Sequence, residues 1–162
     1  MSITFNADEV FEMAEQIERN GAKFYRRAAD NTDDAEAGKK LLNLAAMEDE
    51  HEKIFGAMRT DLSLKNLFST TFDPFNEQAM YLRAMADTNV FNLKADPSEK
   101  LTGRESLEEI YKTAIGLEKD SIIFYIGIRD MIPGNLGKDK IELIIKEEKK
   151  HIVDLTEQLK AL

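Results

Sequence analysis

The sequence predicts an all-α fold, a four-helix bundle in which a long crossover connects the second and third helices. Apolar residues recur at spacings of three and four over long stretches, which is the period of an amphipathic helix. No stretch sustains the alternation of apolar and polar residues that is typical of a half-buried strand. The sequence also repeats itself after 100 residues, so each helix of a first pair has a counterpart in a second pair.

The first helical pair is predicted over residues 7–60. Asn6 and Glu9 form a capping-box pattern, which predicts that the first helix begins next to Asn6. The polar segment 31–34 interrupts the apolar spacing and separates the first helix from the second. The second helix is expected to end at about Thr60.

A crossover, residues 61–103, follows the first pair. A helix of about 26 residues spans about 39 Å, and a connection of this length can return along the whole bundle. The crossover contains a short predicted helix near 76–88. Its phenylalanines are candidates to cover the bundle or to form a dimer contact; they are Phe68, Phe72 and Phe75.

The second helical pair is predicted over residues 104–160. Thr102 and Glu105 form another capping-box pattern at its start, and the segment 133–135, Pro-Gly-Asn, predicts the turn between its helices. We assign residues 1–162 to a single domain, because this length suits one hydrophobic core.

Composition excludes several classes of function. The chain has no cysteine, which removes disulfides, thiolate catalysis and cysteine-bound zinc or iron–sulfur clusters. A formal net charge of −9 argues against sequence-independent binding of nucleic acid, which needs clustered basic residues. No apolar run is long enough for a membrane helix, and the first residues lack the pattern of a signal peptide. We therefore expect a soluble cytoplasmic protein with no nucleic-acid or membrane partner.

The internal repeat brings out six polar residues. Both histidines of the chain stand in a Glu-x-x-His motif, and each histidine follows a further glutamate by thirty-three residues. A shift of 100 residues aligns the two sets without gaps: Glu18 with Glu118, Glu48 with Glu148, and His51 with His151. A single Glu-x-x-His motif is usually an exposed salt-bridge face, whereas two copies in register indicate a common site.

These six residues fall on apolar helical faces. Glu48 and His51, for example, share one face of the second helix with Leu41, Leu44 and Phe55. Four ionised glutamates inside one core are costly unless other charges compensate them, and no lysine or arginine recurs on these faces. Two divalent cations would cancel the charge of four carboxylates.

The residue types therefore predict a two-metal site. One glutamate from each of two helices, with Glu-x-x-His from each of the other two, is the ligand set of di-iron and di-manganese bundles. We expect Glu48 and Glu148 to bridge the metals, Glu18 and Glu118 to bind one ion each, and each imidazole to take one ion. This carboxylate-rich set suits two iron ions, or manganese, better than zinc, which is also possible. Neutral imidazole is the ligand, so metal affinity should fall as the pH drops.

Two tyrosines extend the pattern. Tyr25 and Tyr125 lie two helical turns beyond their glutamates, and a buried phenol needs a hydrogen-bond partner. We predict that each phenol contacts a ligand carboxylate across the bundle, with plain core packing as the alternative.

Neighbouring acidic and methionine residues are assigned simpler roles. Glu15 has Ile115 as its counterpart, so it is either an asymmetric extra ligand or part of a solvated edge. Three glutamates lie off the inner stripe and are predicted to be at the surface: Glu50, Glu52 and Glu147. Four methionines are predicted to fill the core: Met47, Met58, Met80 and Met85.

The combined motifs resemble the rubrerythrin branch of the ferritin-like superfamily. The motifs that carry the resemblance are Glu18-x6-Tyr25, Glu48-x-x-His51, Glu118-x6-Tyr125 and Glu148-x-x-His151. The resemblance implies a di-iron centre that reacts with hydrogen peroxide or dioxygen, in a homodimer. Rubrerythrins proper also carry a rubredoxin-like domain with four cysteines, which this chain lacks. Many place an additional glutamate one turn beyond the third-helix ligand, where Ser121 stands here.

The resemblance leads to a functional hypothesis with two alternatives. The chain is expected to be a non-haem di-iron oxidoreductase that reduces hydrogen peroxide, or dioxygen, with electrons from a separate donor protein. The first alternative is a ferroxidase or an iron-binding or storage protein. The second is a metal-free bundle whose acidic surface provides the function.

Overall fold

The computed structural model describes residues 7–64, 77–87, 96–132 and 137–162. These residues form five α-helices and one short 3-10 helix: α1 Ala7–Asp30, α2 Ala35–Leu64, α3 Glu77–Asp87, the 3-10 helix Pro97–Lys100, α4 Leu107–Met131 and α5 Lys138–Lys160. The predicted all-α fold with four long helices is confirmed. None of the helices in the described ranges combines the length and apolarity needed to cross a membrane.

Most of the predicted helix boundaries lie close to the observed ones. α1 and α5 end where predicted, α2 runs four residues beyond Thr60, and α3 occupies the segment where a short helix was predicted. The predicted cap at Asn6, the turn at 133–135 and the three crossover phenylalanines lie outside the described residues.

The predicted start of α4 is wrong. The reciprocal capping box is formed by Ser106 and Glu109: the backbone N–H of Ser106 donates to the Glu109 carboxylate at 2.7 Å, and the N–H of Glu109 donates to Ser106 Oγ at 3.2 Å. Glu105 instead accepts from the backbone N–H groups of Thr102 and Gly103. Gly103 has a φ of +87°, which is incompatible with an α-helix, so the helix cannot begin before this turn.

Two apolar clusters fill the bundle at different heights. Cluster A includes Phe11, Phe55, Phe124 and Ile141. Cluster B includes Phe24, Leu41, Ile110 and Leu155. In the chain direction, α1 and α5 pass cluster A first, whereas α2 and α4 pass cluster B first. α2 therefore ends beside cluster A and α4 begins beside cluster B, so the connection between them returns along the bundle, as the predicted crossover requires.

The described parts of the crossover pack on the bundle. α3 contacts α4, where Leu82 is fully buried and the Tyr81 hydroxyl donates to the carbonyl oxygen of Ile123 at 2.9 Å. Gly127 of α4 permits this contact, because a Cβ atom there would lie 2.7 Å from the Tyr81 ring. The 3-10 helix contacts α1, and its first residue, Pro97, follows the capping residue Asp96.

Candidate metal centre

The six polar residues of the repeat meet between the two apolar clusters. On α2, for example, Leu44 of cluster B precedes Glu48, and Phe55 of cluster A follows His51. None of the six residues is more than 4% exposed: Glu18, Glu48, His51, Glu118, Glu148 and His151. The structure therefore brings all six together in the interior.

The six residues form two overlapping groups of possible metal ligands. Position 1 consists of Glu18, Glu48, His51 and Glu148. Position 2 consists of Glu48, Glu118, Glu148 and His151. Within each group, one ligand atom from every residue lies within 4.8 Å of the others. The shared members are the two glutamates that the sequence analysis expected to bridge the metals; their role as ligands stays a prediction.

Glu148 stands between the two imidazoles. Its Oε1 atom lies 3.0 Å from His51 Nδ1, and its Oε2 atom lies 2.9 Å from His151 Nδ1. The imidazole rings are nearly parallel, with centroids 5.9 Å apart. Glu18 Oε2 approaches His51 Nδ1 to 3.4 Å, and Glu118 Oε1 approaches His151 Nδ1 to the same distance. A carboxylate with one oxygen toward each imidazole has the placement that a bridging ligand needs.

Several of these atoms are buried and have no well-aligned hydrogen bond among the described residues, although carboxylate oxygens lie 2.9–3.4 Å from the Nδ1 atoms. They are Glu18 Oε2, Glu48 Oε1, both oxygens of Glu148, His51 Nδ1, and both ring nitrogens of His151. All of them except His151 Nε2 face the centre, and buried polar atoms in folded proteins nearly always have a partner, so these six atoms call for an explanation. The donors are carboxylate oxygens and imidazole nitrogens, the atoms that bind iron, manganese and zinc. The centre therefore fits a pair of divalent cations.

Both tyrosines contact the centre from the opposite half of the bundle. The Tyr25 hydroxyl donates to Glu118 Oε1, and the Tyr125 hydroxyl donates to Glu18 Oε1. Burial and the neighbouring carboxylate raise the pKa of each phenol well above its ordinary value, so both keep their protons. These are the cross-bundle contacts that the sequence analysis expected. Each contact fixes the orientation of one carboxylate.

The carboxyl groups differ in acidity. Burial, and next the charge of Glu148, raise the pKa of Glu48 well above its ordinary value. Burial and the charge of Glu48 do the same to the pKa of Glu118. Burial alone would also raise the pKa of Glu148, but the two imidazoles that face it hold this pKa below its ordinary value.

The imidazoles are basic in the metal-free protein. Burial alone would lower the pKa of His51, but Glu148 and Glu18 outweigh burial and raise it to about 11. Glu118, Glu148 and Glu48 likewise raise the pKa of His151 to about 12. A protonated imidazole cannot bind a metal, so the metal must displace these protons and its affinity falls as the pH is lowered.

One contact behind the centre was not predicted from the sequence. Glu147 was predicted to be at the surface, and its side chain is 36% exposed, but its Oε2 atom also lies 2.8 Å from His51 Nε2. The periodicity of α5 places Glu147 at the edge of the buried face, and its partner is 96 residues away on α2. No pattern within one helix could have shown this contact.

The other neighbouring residues lie outside the centre. Glu15 pairs with Arg59 at 3.1 Å and belongs to the partly solvated edge between α1 and α2. Glu52 pairs with Arg19, and Glu50 pairs with Lys53. Of the four methionines predicted to fill the core, Met58 is buried and Met85 packs against cluster A, but Met47 and Met80 are 37% and 67% exposed, so the prediction for these two is wrong.

Comparison with known proteins gives one structural match. No family model and no curated protein matches the chain. A solved structure of a candidate ferritin-like diiron-carboxylate protein from Thermotoga maritima is 23% identical in sequence, with a TM-score of 0.70. The alignment covers 97% of this chain and 96% of that one. The fold is therefore ferritin-like.

Proposed function

We propose that this chain binds two iron ions and acts as a non-haem di-iron oxidoreductase of the rubrerythrin type. It would reduce hydrogen peroxide, or dioxygen, with electrons from a separate donor protein. The observation that carries the proposal is the pair of buried four-residue groups that share Glu48 and Glu148, with six atoms that face the centre and lack a hydrogen bond within the described ranges. The description of the Thermotoga maritima protein as a diiron-carboxylate protein supports the choice of iron.

The ligand assignment follows the two positions. Glu48 and Glu148 would bridge the ions, and Glu148 already presents one oxygen to each side. Glu18 and His51 would complete position 1, whereas Glu118 and His151 would complete position 2. The two ions together would have four carboxylates, and each ion would have one imidazole. This set of donors suits iron or manganese, although zinc accepts the same donors.

The protein groups around the metals have separate roles. A ferrous pair bound here would supply two electrons, which with two protons reduce hydrogen peroxide to two water molecules. Tyr25 and Tyr125 hold the carboxylates of Glu118 and Glu18 in place through their hydroxyl protons. Clusters A and B lie on either side of the centre and exclude water along the bundle axis.

Metal analysis and anaerobic mixing test this proposal. We expect the freshly purified protein to hold two metal ions per chain, predominantly iron, and the exposed-site control Glu142→Gln to do the same. Glu148→Gln, on the same helix, should lose both metal ions.

Anaerobic ferrous protein should be oxidised much faster by hydrogen peroxide than by dioxygen. Equal or reversed rates would contradict peroxide reduction, and absence of iron, manganese and zinc together with no thermal shift on adding Fe(II) would favour a metal-free bundle.

Ser121 stands where many rubrerythrins place an additional glutamate, and the absence of that glutamate favours a second candidate, a ferroxidase or iron-storage function. Its hydroxyl donates to the carbonyl oxygen of Leu117 in its own helix at 3.0 Å, so this position adds no carboxylate to the centre. A ferroxidase would turn over more than two ferrous ions per chain with dioxygen. Titration with Fe(II) in air, with the oxidised iron counted per chain, separates the two candidates.

We also propose a homodimer in the cytoplasm that binds neither nucleic acid nor membranes. The net charge of −9 supports the last two points, because phosphate groups would be repelled. Light scattering of the native protein tests the dimer, and a large spherical assembly would instead favour storage.

A further inference from the structure

We propose that Glu147 is a positioning residue that makes position 1 the tighter of the two metal sites, so that the two ions bind in sequence. This inference rests on the proposed metal centre. It concerns a residue that belongs to neither group of ligands and that lies behind one imidazole of the site and not behind the other.

The two imidazoles have different partners on the side that faces away from the centre. His51 turns Nδ1 toward Glu18 and Glu148, and its Nε2 atom lies 2.8 Å from Glu147 Oε2. His151 also turns Nδ1 toward the carboxylates, but its Nε2 atom is buried and has no hydrogen-bond partner in the part of the chain that the structure describes. Both imidazoles thus turn Nδ1 toward the carboxylates, where His151 has Glu48 as an added neighbour at 3.4 Å, and they differ in whether a carboxylate lies behind the ring.

The repeat explains the difference. The counterpart of Glu147, 100 residues earlier, is Met47. A thioether is only a weak hydrogen-bond acceptor and carries no charge, so methionine cannot replace a carboxylate as a partner for an imidazole N–H. Met47 is partly exposed and lines a cavity of about 240 Å³ between α2 and α5.

The partner of Nε2 affects the ligand strength of Nδ1. An imidazole that binds a metal through Nδ1 must carry its proton on Nε2, and a carboxylate that accepts this proton fixes the tautomer and the ring orientation. It also makes the ligating nitrogen more basic. Loss of such a partner typically lowers metal affinity by about 10- to 100-fold. His51 has this support, whereas His151 must bury an unpaired N–H when it binds a metal.

A titration with Mn(II) tests the inference on the full-length chain. We expect calorimetry, with free Mn(II) counted by electron paramagnetic resonance, to show two binding steps. Glu147→Met should weaken the tighter step by about 10- to 100-fold. Glu147→Gln keeps an acceptor oxygen and should recover part of the loss. Glu142→Met removes the same charge from an exposed position of α5 and should change neither step.

The reciprocal change and two single-histidine backgrounds assign the effect to a position. Met47→Glu offers His151 the missing partner, the cavity beside Met47 gives the new side chain room, and the weaker step should tighten. In the His151→Ala background, the remaining site should depend on Glu147; in the His51→Ala background, it should not.

The possible outcomes separate this inference from the proposed function. If wild-type protein binds two ions and Glu147→Met leaves both steps unchanged, or weakens both equally, the inference is wrong and the metal centre stands. If Glu147 only joins α2 to α5, Glu147→Met lowers the unfolding temperature of the metal-free protein without changing the ratio of the two affinities. Wild-type protein that binds neither Mn(II) nor Fe(II) contradicts the metal centre itself.

Discussion

The two helical pairs use the same residues at the centre of the bundle and different residues around it. α1 with α2 and α4 with α5 each supply two glutamates, one histidine and one tyrosine, and these coincide after a shift of 100 residues. The two pairs differ at neighbouring positions of the alignment, where Gly21 aligns with Ser121 and Met47 aligns with Glu147. The repeat thus keeps the candidate ligands and the two tyrosines that bind them, but not these neighbouring positions.

Gly21 shows what such a difference does. A Cβ atom at Gly21 would lie 2.9 Å from Glu48 Oε2, so the absence of a side chain lets the Glu48 carboxylate lie against α1. Its counterpart Glu148 stands between the two imidazoles instead. The two shared carboxylates are therefore not interchangeable.

The surfaces of the pairs also differ. Arginines of the first pair join α1 to α2, with Arg19 on Glu52 and Arg59 on both Asp8 and Glu15. The second pair has α3 packed on α4 through the close contact at Gly127. The first pair is held by ion pairs at its edge, whereas the second is covered by another helix.

Substitution of the two shared carboxylates, Glu48 and Glu148, should give the largest change in metal affinity. Glu148→Gln removes the charge that faces both imidazoles, so we expect both metal positions to weaken by at least about 100-fold, or about 3 kcal/mol. Glu48→Gln should weaken metal binding less, because of the two imidazoles Glu48 approaches that of His151 alone, at 3.4 Å. Metal titration of the two variants measures both effects, and equal losses would show that the carboxylates are equivalent after all.

The tyrosines should behave alike in the two halves. Tyr25→Phe and Tyr125→Phe each remove one hydroxyl donor from a buried carboxylate, which is expected to cost about 1.5–3 kcal/mol of interaction. We expect metal affinity to fall by about tenfold in each variant. A metal titration of both proteins checks this, and a clear difference between them would extend the asymmetry to the ligands themselves.

Substitution of two glycines of α4 tests how closely α3 packs on α4. Gly127→Ala places a methyl group against Tyr81 and Leu82, so we expect the free energy of unfolding to fall by about 1–3 kcal/mol. Among the described residues, and apart from its own stretch of helix, Gly116 has no heavy atom within 4 Å of the added Cβ, and Gly116→Ala should stabilise the helix by about 0.5–1 kcal/mol. Urea unfolding compares the variants; stabilisation by both would mean that α3 does not pack closely on α4.

The smallest effect is expected at the aligned positions Gly21 and Ser121, of which Gly21 lies against Glu48. Gly21→Ala should add about 0.5–1 kcal/mol of helix stability, and the displacement of Glu48 should offset this gain, so the stability of the metal-free protein changes little. The same displacement should lower the metal affinity several-fold. Ser121→Ala is the matched control, because its hydroxyl bonds only to its own helix. Parallel metal titration and thermal unfolding of the metal-free proteins measure this. An unchanged affinity in Gly21→Ala would show that Glu48 has room to move.

Much of the fold and of the candidate site could be predicted because the relevant patterns are local or repeated. Helical periodicity locates α1, α2 and α5 from their own residues. Polar residues on an apolar face identify Glu48 and His51 as interior groups, and the repeat identifies their counterparts. The direction of the crossover follows from helix length and from the short links within each pair.

The features that could not be predicted depend on contacts between distant segments or on the backbone at one residue. The start of α4 was misplaced because two capping-box patterns follow one another in sequence, at 102–105 and 106–109, and the left-handed backbone of Gly103 excludes the first. Met47 and Glu147 occupy equivalent helical positions, and spacing says nothing about how far a side chain reaches across to another helix. The sequence by itself determined that the six candidate ligands enter the interior, since their burial follows the helical period and the repeat. The tertiary structure alone decided that one imidazole has a carboxylate behind it and the other has none, because that contact depends on how α2 and α5 pack together.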